Sequence, residues 1–316
     1  MPITLTGGAV MTGGMQVGSP APTPTPGAEN FGYSAGGAPG GSNKIEKYSF
    51  TSDGNATDVG DLTSGRGQVT GNSSDVSGYC SGGYVVSYNN LIDKWPFASG
   101  GNATFVGNLS SSRRMCSGQS SIDNGSGYQS GGLEDNPPSQ ARVSKVDKFS
   151  FASDGDGTKV LDLTYSAMSI SGSQSSENGY SMAGVNGPAV YSAINKFPFT
   201  SDTNATNIGD LTISAFGGNG HFSNTHGYYS GGSKDPGRVS TIQKYPFASD
   251  SNSTDVANLA SVVQDGTGTS SKTFGYVSGG EPDMTAIQKF EFATDGDGTD
   301  VGDLTGNRYT AAGAQY

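Results

Sequence analysis

The sequence predicts an all-β fold, a six-bladed β-propeller with four antiparallel strands per blade, and three observations predict it. One unit recurs six times along the chain, and each copy holds four short strand-like segments. The 316 residues include 51 Gly and 14 Pro, with only 32% hydrophobic side chains. So sparse an apolar content cannot fill one thick core, but it suffices when spread over many thin layers joined by turns.

The chain opens with residues 1–30, where Pro20, Pro22, Pro24 and Pro26 interrupt a Gly- and Thr-rich stretch. This is the composition of an extended spacer, read here as a tether. Residues 31–316 hold the repeats. The mark GYSAGG at Gly32 recurs as GYCSGG from Gly78, GYQSGG from Gly127, GYSMAG from Gly179, GYYSGG from Gly227 and GYVSGG from Gly275. Each is followed by Ile/Val-x-Lys-aromatic-x-Phe, carrying Lys47, Lys94, Lys148, Lys196, Lys244 or Lys289. A turn such as SDGNAT comes next, then a short segment ending in Leu62, Leu109, Leu163, Leu211, Leu259 or Leu304. Alternation of this kind between turn clusters reads as strands, four to a unit.

The two ends are complementary. After Leu304 the chain adds TGNRYTAAGAQY, a first strand with no second, whereas Phe31–Gly37 is a second strand with no first. Arg308–Gln315 is therefore expected to supply the innermost strand of the blade built by residues 31–62, closing the ring and removing a free edge. Inner strands such as Ala311–Gly313 and Ser169–Gly172 are built of small residues, as crowding at an axis requires. The tether and the C-terminus should leave from one face, with the loops Ala38–Asn43, Tyr84–Asn90, Leu133–Ala141 and Ser233–Arg238 on the other.

A unit of about 50 residues with four strands matches the kelch-type blade. The order of marks also resembles the kelch family: an early Arg, an aromatic with Gly-Gly closing the second strand, an aromatic in the third. The chain departs from that pattern in its tryptophan, Trp95, which sits in the third strand rather than before the end of the fourth.

With 17 basic and 28 acidic residues the formal charge is −11, which repels nucleic acid and anionic bilayers alike. No apolar run reaches membrane-helix length, and the first residues lack the basic start and apolar stretch of a secretory leader. No membrane insertion is expected. Cys80 and Cys116 are read as free thiols.

The chemistry-bearing motifs reduce mostly to structure. Gly32–Gly36 fits the nucleophile elbow of hydrolases, but other copies replace Ser34 by Cys80, Gln129, Tyr229 or Val277, and no helix follows. Asp295, Asp297 and Asp300 form a weak calcium candidate; the corresponding turn SGGNATF has no acid, so hairpin-closing Asx turns explain the series. The six lysines are expected to pair across strands with Asp61, Asn108, Asp162, Asp210, Asn258 and Asp303. Asn55, Asn102, Asn204 and Asn252 match glycosylation sequons within the repeated turn.

Two features break the six-fold pattern. Arg66, Arg113 and Arg308 lie four residues after the preceding Leu in three adjacent units, where the others have Ala167, Ala215 and Val263. Either they converge on an anionic ligand at the ring mouth or they bond strand-end carbonyls. The second feature is an aromatic and histidine cluster, Phe216, His221, Phe222, His226, Tyr228 and Tyr229, suited to sugar stacking. No catalytic set emerges, so the expectation is a non-enzymatic module with no cofactor.

Units worded INKFPFTSDTNATNIGDLT, with SSENGY and GYxxGG, resemble repeats of structural proteins of marine cyanophages. The resemblance implies a virion component, head- or tail-associated, assembled in the host cytoplasm and held to other virion proteins through residues 1–30. The alternative is an adhesin that binds host-surface glycan.

Overall fold

The structure, a computed structural model, describes residues 30–136 and 139–316. The tether expected over residues 1–30 lies, apart from Asn30, outside them. The described residues form six four-stranded antiparallel sheets and contain no helix. The first holds Phe31–Ala35, Lys44–Ser49 and Thr57–Asp61, with Ala312–Gln315 on its inner edge. The second runs Thr70–Ser73, Ser77–Ser81, Leu91–Pro96, Thr104–Asn108, and the third Ser117–Ser121, Ser126–Ser130, Lys145–Ser150, Thr158–Asp162. The fourth is Ser171–Gln174, Asn178–Met182, Ala193–Pro198, Thr206–Asp210. The fifth is Asn219–Phe222, His226–Ser230, Thr241–Pro246, Thr254–Asn258, and the sixth Thr267–Ser270, Phe274–Ser278, Ala286–Glu291, Thr299–Asp303. Each inner strand touches the inner strands of the sheets before and after it, the arrangement of a β-propeller.

Each strand has a local reason. In the second strand the glycine before tyrosine stands opposite the third-strand aromatic: Gly32 faces Tyr48, Gly78 Trp95, Gly127 Phe149, Gly179 Phe197, Gly227 Tyr245 and Gly275 Phe290. The ring lies over the glycine so closely that a methyl there would come within 2.3–2.5 Å of it. The neighbouring tyrosine points to the next sheet, where Tyr79, Tyr128 and Tyr276 stack on Phe151, Phe199 and Phe50 at 4.8, 5.0 and 4.5 Å. Aromatic pairs of this kind add about 0.5–1.5 kcal/mol beyond burial. The apolar clusters therefore lie between sheets, as thin layers.

The lysine and turn residues tie one sheet to the next, which corrects the expected pairing within a sheet. Lys94, Lys148, Lys196, Lys244 and Lys289 reach Asp154, Asp202, Asp250, Asp295 and Asp53 at 2.5–3.4 Å, each in the turn of the following sheet. In the following sheet the corresponding turn, Ser99–Gly101, has no acid, and Lys47 lies 3.7 Å from the Phe31 ring centre instead. Asn102, Asp156, Asn204, Asn252, Asp297 and Asn55 accept the backbone N–H of Asp61, Asn108, Asp162, Asp210, Asn258 and Asp303 of the preceding sheet, at 2.8–3.0 Å. The sequon-like asparagines are thus bridges between sheets. The three acids of the calcium candidate are engaged in contacts of the same kind: Asp295 is held by Lys244 at 2.5 Å, Asp297 by the Asn258 N–H, and the Asp300 carboxylate accepts the Gly302 N–H at 3.3 Å.

Candidate functional site

The axis is built from the inner strands. The residue two before the start of each one, Gln68, Met115, Ser169, Gly217, Asp265 and Thr310, has φ of 58, 55, 55, 64, 57 and 50°, all left-handed. The inner strands therefore start later than expected, at Ser171 and Ala312 rather than Ser169 and Arg308. That turn swings the peptide away from its own sheet and toward its neighbours. Met115, Ser169, Gly217, Asp265 and Thr310 each donate a backbone N–H to the carbonyl of the preceding member, at 2.6–3.0 Å, and Val69 donates to Thr310 at 3.2 Å. A belt of hydrogen bonds thus circles the mouth, holding five non-glycine residues in a conformation that costs roughly 1–2 kcal/mol each.

Below the belt lie cavities of about 100 and 120 Å³, then a constriction. Gly71, Gly118, Gly172, Gly220, Gly268 and Gly313 form it: a side chain at any of them would sit 1.8–2.5 Å from the carbonyl oxygen of the glycine in the sheet before. Beyond is a space of about 60 Å³ lined by Ser73, Ser120, Gln174, Phe222, Ser270 and Gln315. On the loop face, segments after the Gly-Gly or Ala-Gly pairs fold back onto the approach to the inner strand of their own sheet, as in the pairings Ala38 with Tyr309, Gly67 with Tyr84 and Phe216 with Ser233. Arg114 sits between the Tyr84 and Tyr88 rings, 5.0 Å from each, beside exposed Val85 and Val86.

The arginines do not line a cationic mouth. Arg66, Arg113 and Arg308 are 0, 0 and 3% exposed and form buried ion pairs with Asp93, Asp147 and Glu46 at 2.9, 2.9 and 3.2 Å. Each also donates to two strand-end carbonyls: Gly82 and Cys80, Gly131 and Lys145, Gly36 and Lys44. The reason lies one residue before each repeated lysine. That side chain accepts an N–H just after the preceding Leu in every sheet, the first one in five of them, Asp93 from Thr63, Asp147 from Ser110, Asn195 from Thr164, Gln243 from Thr212 and Glu46 from Thr305, and the second in the sixth, Gln288 from Ser261. Where the acceptor is an acid, an arginine neutralises it; where it is an amide, Ala167, Ala215 or Val263 suffices. This covariation was present in the sequence, but only the arginine half of it stood out.

The histidine cluster is dispersed. His221 is fully buried between inner strands, with Nδ1 at 3.0 Å from the Thr269 carbonyl and Nε2 at 2.8 Å from Ser230 Oγ; burial pushes it down to about 4. Phe222 lines the far end of the axis. Tyr229 is buried on the other side of its strand, its hydroxyl against Gly218 and Gly232. His226 and Tyr228 remain together in a groove between the fifth and sixth sheets. Sequence reasoning missed Asp265, the one carboxylate in the belt, which burial and then Glu281 push up to about 6. Cys80 and Cys116 are buried free thiols raised by burial to about 12 and 11.

No protein-family model and no curated protein matches the chain. A solved structure titled "Structure of YjhT" superposes with a TM-score of 0.66, covering 78% of this chain and 86% of its own, at 13% identity. The fold is what the two share.

Proposed function

We propose that the chain is a six-bladed, kelch-like propeller closed by its C-terminal strand, and that it serves as a non-enzymatic structural or accessory component of a phage virion. Residues 1–30 anchor it to other virion proteins, and the loop face is displayed; the reading invokes no cofactor and no reaction. One observation carries it: Asn30, which follows the Pro-rich segment, donates its N–H to the Tyr316 carbonyl at 2.5 Å, on the face opposite the loops. An anchor joined there leaves the whole loop face outward. The cyanophage-like wording of the repeats supports the particle as the setting.

The test is a phage lysate with residues 1–30 deleted from this chain. Mass spectrometry of purified particles should find the full-length chain and lose the shortened one, while the shortened chain still melts cooperatively. Equal incorporation of both would sink the reading. A second reading, a glycan-binding adhesin, is favoured by the Arg114–Tyr84–Tyr88 cluster on the loop face, because stacked rings beside a guanidinium suit sugar faces and hydroxyls.

A further inference from the structure

The cavity of about 100 Å³ under the belt is chemically one-sided. Val69, Met115, Cys116 and Ile170 line it from the second, third and fourth sheets, and Asp265, in the sixth, is the one carboxylate among its lining residues. Gln264 Nε2 donates to Asp265 Oδ2 at 3.1 Å. Oδ1 is left clear by Gly217, the one glycine of the belt, where a side chain would begin 2.5 Å from it. A second acceptor stands at the same joint. In three sheets the hydroxyl that opens the inner strand donates to a carbonyl of the next sheet: Thr70 to Cys116 at 3.2 Å, Ser171 to Gly218 at 2.7 Å and Thr267 to Ala311 at 3.3 Å. Asn219 breaks that pattern. Its Nδ2 donates back to the Ser230 carbonyl of its own sheet at 3.2 Å, and its Oδ1 meets no donor among the described residues, although Asn219 is only 2% exposed. That oxygen lies 2.8 Å from where a side chain on Gly266 would begin. Gly266 walls both this cavity and the one of about 120 Å³ below it, which Asn219 lines. A buried acceptor without a donor costs about 1–3 kcal/mol, so an arriving N–H is favoured there.

We propose that this mouth cavity binds a primary alkylammonium ion, the group shared by free alkylamines and the lysine side chain. Its N–H groups meet the Asp265 carboxylate and Asn219 Oδ1, and its methylene chain lies along Val69, Met115 and Ile170. A calcium ion would want about six to eight oxygens, whereas this wall sets one carboxylate against thioether and aliphatic groups. An anion would meet Asp265 in a chain of net charge −11. The ionisable groups facing Asp265 are Glu281, which is paired with Arg238, and Tyr229, whose hydroxyl burial keeps protonated. Burial and then Glu281 raise Asp265 to about 6, so it is mostly ionised at about pH 7 and takes its proton on acidification. A cation favours the ionised form, and affinity therefore falls as pH falls. The site does not rest on the particle reading, because it involves no residue of the segment 1–30.

The test titrates the full chain with pentylammonium by calorimetry, with pentanol, tetramethylammonium and a capped Gly-Lys-Gly peptide alongside. Pentylammonium should bind roughly ten-fold more tightly than pentanol, which lacks the charge, and than tetramethylammonium, which lacks the N–H donors. Its affinity should fall about ten-fold between about pH 7 and pH 5 as Asp265 takes its proton. Asp265→Asn should remove the binding and its pH dependence together. Asn219→Ser, the residue type of Ser171, should weaken binding about five-fold with Tm nearly kept. Should Asp265→Asn fail to fold, the pH profile of the parent and Asn219→Ser decide alone. Peptide binding as tight as that of pentylammonium upholds the site and makes its ligand a lysine of a partner; pentylammonium binding without the peptide upholds it for a free amine. Equal binding of pentanol or tetramethylammonium overturns the ligand class. Absence of pentylammonium binding, or binding that pH and both variants leave unchanged, overturns the site.

Discussion

His221, buried, and Asp265, half-buried, are ionisable groups near the axis displaced in opposite senses. His221, lowered to about 4 by burial, is neutral in the fold, so the unfolded chain binds more protons below the ordinary value of 6.5. Stability from this group is lost as pH falls from about 6.5 to 4, by roughly 3 kcal/mol in all. Asp265, raised from 3.8 to about 6 by burial and by Glu281, acts in reverse: its protonated form is favoured in the fold, and its contribution is lost as pH rises through that window. The two slopes oppose each other between about pH 4 and 6. His221→Gln, the side chain Gln119 supplies at the matching place, should make stability relative to the parent fall as pH rises across that range. Asp265→Asn should make it climb. Urea unfolding at pH 4, 5 and 6 decides it, and parallel curves for the parent and both variants would refute the assignment. Little of this could be read from sequence, because His221 and His226 are chemically alike on paper and differ only in the strand face each occupies.

Between elements, the joints of the ring are of two kinds. Three carry a buried carboxylate with its arginine, and three carry an amide beside a small side chain. A buried pair broken on one side is costly, about 3–5 kcal/mol, whereas an apolar or neutral replacement of both partners is often nearly free. Arg66→Ala should therefore destabilise strongly by thermal melting. The double variant Arg66→Ala, Asp93→Asn reproduces the Ala167 and Asn195 arrangement and should recover most of the loss. A double variant no better than the single would mean that the arginine stabilises mainly through its carbonyl contacts at Gly82 and Cys80. The strands were legible because each repeats six times with an aromatic, a glycine pair and a lysine in register. The lysine's partner was misread because sequence adjacency suggests the neighbouring strand, while the true acid sits some 50 to 60 residues on, in the next sheet.

For the whole molecule, the first and last described strands meet in the first sheet, where Ala312–Gln315 pairs with Phe31–Ala35. Truncation after Thr305 removes that strand and the Arg308 partner of Glu46, exposing an edge and an unpaired buried charge together. The truncated chain should lose cooperative melting; an unchanged transition by calorimetry would refute closure. This much could be read from the sequence, since the missing first strand and the surplus one are visible as incomplete repeats. The belt at the mouth could not, because its members share a backbone angle and no side-chain type. Its donors all point the same way around, each toward the sheet before. Peptide dipoles arranged head to tail in a circle cancel, unlike those aligned along a helix, which add to a field at its end. The mouth is in this sense an electrically silent socket: its backbone neither attracts nor repels, and its polarity is written by the side chains at Gln68, Met115, Ser169, Asp265 and Thr310 alone. Those positions can change character one sheet at a time while the hoop that holds them stays the same.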